Sequence, residues 1–77
     1  MARPSRALTT FAENLRATRA RRDLTQEQLA YASGVTAGEV SRMERGIREP
    51  RVLTLVKLAD ALEVGPATLL DGIGRHG

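Results

Sequence analysis

The chain contains no cysteine, so neither a disulfide nor a thiolate metal site can reinforce it. That absence fits a reducing compartment, and a cytoplasmic location is expected. The only histidine is His76, close to the last residue. Ser33 and Ser41 have no histidine neighbour to activate them, and no paired acids converge on a predictable pocket. The residues therefore point away from an enzyme, and no metal or cofactor is expected. Apolar runs last only a few residues, too few for a membrane-spanning helix. Arg3 and Arg6 precede no apolar stretch, so residues 1–10 do not have the form of a signal peptide. No segment alternates as a strand would.

What remains is a short chain with charge and helical periodicity. Seventy-seven residues allow one domain with a modest core. Without cross-links, stability has to come from helix packing or oligomerisation. The formal net charge is +3, unevenly spread. Residues 1–22 hold Arg3, Arg6, Arg16, Arg19, Arg21 and Arg22 against Glu13 alone, a net +5, while residues 23–49 carry −2 and residues 50–77 balance. Lys57 is the single lysine among twelve basic residues. Arginine's planar fork suits phosphates and guanine edges, so the cluster suggests a polyanionic partner, with an arginine-rich codon usage as the alternative explanation of the arginine preference.

Residues 25–46 carry the densest local information. Thr25 is followed three positions later by Gln28, and Thr36 by Glu39, two capping boxes in which hydroxyl and N3 side chain exchange hydrogen bonds with backbone amides. Ser33-Gly34 stands between them as a helix stop. Two capped helices, a glycine turn and a basic second helix form the pattern of a DNA-reading helix-turn-helix.

The remaining residues suggest three further helices. Thr10 is expected to cap a first helix ending near Arg22, with Phe11, Leu15 and Thr18 along its inner stripe, after a basic arm over residues 1–9. Asp23 is suited to a left-handed closing turn. Helix two is read at about residues 26–33, with Leu29 and Ala30 inward, and helix three at about 37–45, stopped by Gly46. Pro50 marks a loop exit before helix four, about 52–62, with Val52, Leu55, Ala59 and Leu62 on one face. Pro66 suits the first position of a short fifth helix ending near Asp71, and residues 72–77 read as a tail. The expected fold is an all-α, five-helix bundle with its domain over residues 10–71.

On helix three, residues turn by roughly 100° each, which sets Val40 and Met43 inward. Gly38, Ser41, Arg42 and Arg45 fall opposite, with Ala37 at the edge. The outer face is small at its N-terminal end and basic beyond, a shape suited to a major groove in which Arg42 can donate twice to guanine. Glu44 and Arg19 occupy matching flanks of helices three and one, placed for a partly buried ion pair.

The segments Leu24-Thr-Gln-Glu-Gln-Leu-Ala30, Ser33-Gly-Val-Thr36, Val40-Ser-Arg-Met-Glu-Arg-Gly46 and Leu55-Val-Lys-Leu-Ala-Asp-Ala-Leu-Glu-Val64 resemble the lambda-repressor and Cro-like helix-turn-helix family. The likeness runs over roughly residues 11–71. It implies a transcriptional regulator whose helix three meets double-stranded DNA through Thr36, Ala37, Gly38, Ser41 and Arg42. It also implies a phosphate contact and a brace for helix three at Gln26, an Arg19–Glu44 pair, and a loop from Arg45 through Arg48 to Arg51 lying along the backbone.

Three positions depart from the family pattern. Ala37 and Gly38 replace long polar side chains, leaving more of the specificity to Arg42 or to DNA shape. Arg51 replaces a hydroxyl cap, and Leu53 an acidic residue. A domain this small gains affinity by dimerising on a pseudo-palindromic operator, and Leu69, Leu70 and Ile73 are the expected interface. The alternative is an antitoxin or protein-interaction module whose main ligand is a toxin or co-regulator. A phage-type repressor, a restriction–modification controller and an autoregulating antitoxin all fit the residues.

Overall fold

The computed structural model describes residues 5–74. Five helices follow in order: α1 (Arg6–Arg21), α2 (Gln26–Ser33), α3 (Ala37–Glu44), α4 (Val52–Leu62) and α5 (Pro66–Leu69). Helix α2 packs against α3 and α4, while α1 packs against α3 and α5, and α4 against α5. At the centre lie Phe11, Leu15, Leu29, Val40, Met43, Leu58, Ala59, Leu62 and Leu69.

Local chemistry accounts for the element ends. Thr25 Oγ1 accepts from the Gln28 amide at 3.0 Å and Gln28 Oε1 accepts from the Thr25 amide at 2.8 Å, a complete capping box opening α2. Gly34 closes α2 with φ of 78°, a left-handed conformation that costs glycine nothing sterically. The link between the helices is tightened by Ser33 Oγ, which accepts from the Val35 amide at 3.1 Å. Thr36 Oγ1 then accepts from the Glu39 amide at 3.1 Å to open α3. Asp23, at φ 56°, closes the turn after α1 in the left-handed region.

Four expectations change. The first helix starts four residues before Thr10: Ser5 Oγ accepts from the Leu8 amide at 3.3 Å and caps it. Residues 6–9 are thus helical rather than an arm, because Leu8 extends the Phe11, Ala12 and Leu15 stripe and packs against the core. Residues 1–4 of the expected arm lie outside the described residues.

On α4 the buried face is Leu58, Ala59 and Leu62 with Leu55 partly covered, whereas Val52 is 76% exposed. Val52 opens the helix, beyond the reach of the neighbours that cover the following turns. Helix α5 stops at Leu69, not near Asp71. After it, Gly72 and Gly74 take φ of 84° and 79°, and Ile73 folds back against the core. The tail expected at residues 72–77 is therefore packed as far as Ile73, and residues 75–77, including His76, lie outside the described residues.

Candidate nucleic-acid interface

The presentation of α3 depends on one buried carboxylate. Glu44 is 2% exposed, at the last turn of α3. Its Oε2 accepts from Arg19 Nε at 2.6 Å and its Oε1 from Arg19 Nη2 at 2.9 Å, a two-pronged pair linking α3 to α1. Gln26 Nε2 donates to the same Oε1 at 3.0 Å from the first turn of α2. Arg19 Nη1 donates to the Leu24 carbonyl at 2.8 Å, which secures the α1–α2 link. Arg16 Nη1 reaches the Glu44 carbonyl and satisfies an open acceptor at the end of α3. The carboxylate's hydrogen bond raises the Arg19 pKa further above its ordinary value, so the guanidinium is charged at every working pH.

Held this way, α3 turns Val40 and Met43 into the core and leaves its other side open. Thr36 and Gly38 are exposed, while Ala37, Ser41 and Arg42 are half-buried. Arg45, Arg48 and Arg51 are exposed around the end of α3 and the start of α4, and Arg45 Nε lies 3.4 Å from the Ser41 carbonyl. Arg51 takes the N-cap position of α4 without a side-chain capping bond, as its side chain has no acceptor to offer. Tyr31 projects from α2, 93% exposed.

Glu39 departs from the second expected capping box. Its carboxylate turns to Arg42, whose Nη2 donates to Oε1 at 2.9 Å, and Arg48 Nη2 stands 3.9 Å from the same oxygen. A charged guanidinium outcompetes the neutral amide of Thr36 for a carboxylate. The Arg42 hydrogen bond, more than the nearby Arg48 and Arg51 charges, holds the Glu39 carboxyl below the usual glutamate range.

This arrangement, two capped helices crossing at a left-handed glycine with the second braced from behind by a buried arginine–glutamate pair, is the geometry of a helix-turn-helix. The helix-turn-helix family HTH_3 matches residues 15–69. The chain belongs to this family. It is 48% identical over 58 residues to the HTH-type transcriptional repressor RghR of Bacillus subtilis strain 168, covering 74% of this chain and 43% of the repressor. The restriction-modification controller protein C.AhdI of Aeromonas hydrophila superposes with a TM-score of 0.79 at 39% identity, covering 80% of this chain and 94% of the controller. The clp gene regulator ClgR of Corynebacterium glutamicum gives a TM-score of 0.79 at 32% identity, covering 86% of each chain. The chain spans about half the length of the curated relatives it matches.

These relatives are a transcriptional repressor, a restriction-modification controller and a gene regulator, and this chain carries a helix-turn-helix similar to theirs. Among the described residues no helix is long and apolar enough to cross a membrane, and no cluster of His, Asp or Glu gathers to hold a metal ion.

The expected dimer residues separate. Leu69 is fully buried and is spent on the core, so it is withdrawn from the interface. Leu70 is 40% exposed, and with Ile73 it lines an apolar groove shared by Leu8, Phe11, Val52 and Leu55. Val52 and Leu8 were not expected there. Asn14 was also missed: its Nδ2 donates to the Leu69 and Asp71 carbonyls at 3.0 and 2.9 Å, fixing the end of α5 on α1.

Proposed function

We propose that this protein is a sequence-specific regulator that binds double-stranded DNA as a homodimer, most readily as a repressor, with α3 of each copy in a major groove. The observation that carries the reading is the outer face of α3. Thr36, Ala37 and Gly38 make a small leading edge, and Arg42 stands behind it as a long donor able to pair with guanine O6 and N7. Arg45, Arg48 and Arg51, all exposed, supply charge for phosphates at the flank, and Gln26 stands at the positive end of α2.

The dimer follows from the apolar groove around Leu70, Ile73 and Val52, which a second copy would cover. Two-fold pairing places half-sites about 34 Å apart on one face of the duplex. Similarity to the repressor RghR and to the controller C.AhdI supports an operator-bound role. Selection of bound sequences from random DNA tests it: recovery of two inverted half-sites one helical turn apart is expected, and recovery of no enriched sequence at low salt would refute it.

A further inference from the structure

Glu39 places a negative charge on the helix proposed to meet DNA, where it opposes the phosphates. Three observations give it a task. Its Oε1 accepts from Arg42 Nη2 at 2.9 Å. The Arg42 guanidinium lies against Gly38, where an added Cβ would stand 3.5 Å from both Nη1 and Nη2. Arg42 Nε is buried without a hydrogen-bond partner among the described residues. The head group is thus folded back towards the leading end of α3 instead of trailing into solvent. A half-exposed pair three residues apart on one helix adds only modestly to stability.

We propose that Glu39 is a specificity-determining residue that positions the Arg42 guanidinium for a single base pair. The inference rests on the DNA-binding reading above. Glu39 takes up one of the two N–H groups of Nη2, and Nη1 keeps both of its own. Three terminal N–H groups therefore remain for the two acceptors of guanine, O6 and N7, while the side chain is held. An unheld arginine would reach phosphates on any sequence, and phosphate contacts carry no sequence information. Gly38 borders the head group, and even an added methyl there would meet it only at ordinary contact distance. Arg48, 3.9 Å from the same carboxylate, leaves the group of Arg42, Glu39 and Arg48 net positive.

The test compares Glu39→Gln with the wild-type chain by fluorescence anisotropy, on a site selected from random DNA and on a scrambled duplex of equal length. Both proteins are also measured in an Arg42→Ala background. Gln keeps the length and can cap the Thr36 amide, and thermal melts verify that the variants are folded. Removing a negative charge is expected to raise affinity for either duplex. The ratio of selected to scrambled affinity is expected to fall about fivefold, as coupled neighbours do when one is removed. In the Arg42→Ala background the ratio should not respond to Glu39→Gln. An unchanged ratio in the first comparison overturns the proposal, as does an equal fall in both backgrounds, which would mean that the carboxylate reads DNA by itself. A wild-type chain that binds both duplexes equally would instead refute the DNA reading, so the two failures are distinguishable.

Discussion

Arg19 and Glu44 form a two-pronged ion pair at 2.6 and 2.9 Å, with the carboxylate 2% exposed and 25 residues away in sequence. Desolvation opposes such a pair, so its presence alone says little about net stability. Removing one partner is another matter, because the remaining charge stays buried. Glu44 also holds Gln26, and Arg19 holds the Leu24 carbonyl, so the pair sets the mutual placement of α1, α2 and α3.

Arg19→Ala is expected to destabilise the fold by about 3–5 kcal/mol, the cost of an uncompensated buried carboxylate. For a domain of this size that consumes most of the margin. Arg19→Lys keeps the charge but loses the fork and should fall between the two. Urea denaturation of the three proteins checks the order; equal midpoints for Arg19→Ala and the wild type would remove the pair from the account of stability.

Gly38→Ala should stabilise the fold by about 0.5–1 kcal/mol, since alanine is the better helix former and the new methyl meets Arg42 at an ordinary contact distance of 3.5 Å. If the bare backbone at Gly38 is needed for close approach to DNA, the same substitution weakens operator binding. A higher melting temperature with lower affinity is the expected combination.

Glu63 ends α4 in the left-handed region at φ 60°, where glycine is favoured. Its ion pair with Arg22 is exposed on both sides and contributes little. Glu63→Gly is expected to raise stability by about 0.5–1 kcal/mol, read from the denaturation midpoint. A loss of stability would show that the Arg22 pair outweighs the backbone term.

Stability should also respond to acid through Glu39. Its folded carboxyl lies below the ordinary glutamate value of about 4.3, chiefly because of the Arg42 hydrogen bond. A depressed folded value means that the unfolded chain binds the proton first. The contribution is therefore present above the ordinary value and is lost as pH falls through the folded one. Glu39→Gln should flatten that part of the acid limb, measured by melts between neutral pH and the acid transition.

The exposed apolar groove gives a prediction for assembly. Val52 is 76% exposed, so Val52→Glu costs the monomer little, yet it places a charge beside Leu70 and Ile73. Sedimentation should show the monomer–dimer balance shifting towards monomer. An unchanged balance would move the interface elsewhere.

Much of this architecture was legible in the residues, for reasons that differ by element. Thr25, Gly34, Thr36 and Pro66 each act on their immediate neighbours, and the limits of α2 and the starts of α3 and α5 followed from such local chemistry. The start of α1 did not, because Ser5 and Thr10 are both able caps and only the burial of Leu8 chooses between them. Glu39 faced two partners at similar reach, the Thr36 amide and Arg42, and spacing alone cannot rank them. The Asn14 bonds join residues 55 and 57 positions apart, which no local pattern announces. Within the proposed interface, the outward face of α3 was legible from helical periodicity, while the fold-back of Arg42 over Gly38 depended on tertiary geometry.

The central claim is that Arg42 reads a base. Binding of Arg42→Ala to a selected site and to a scrambled duplex, at one salt concentration, tests it most directly. The expected result is a loss of about 1–3 kcal/mol confined to the selected site. An equal loss on both duplexes would make Arg42 a phosphate ligand and contradict the claim.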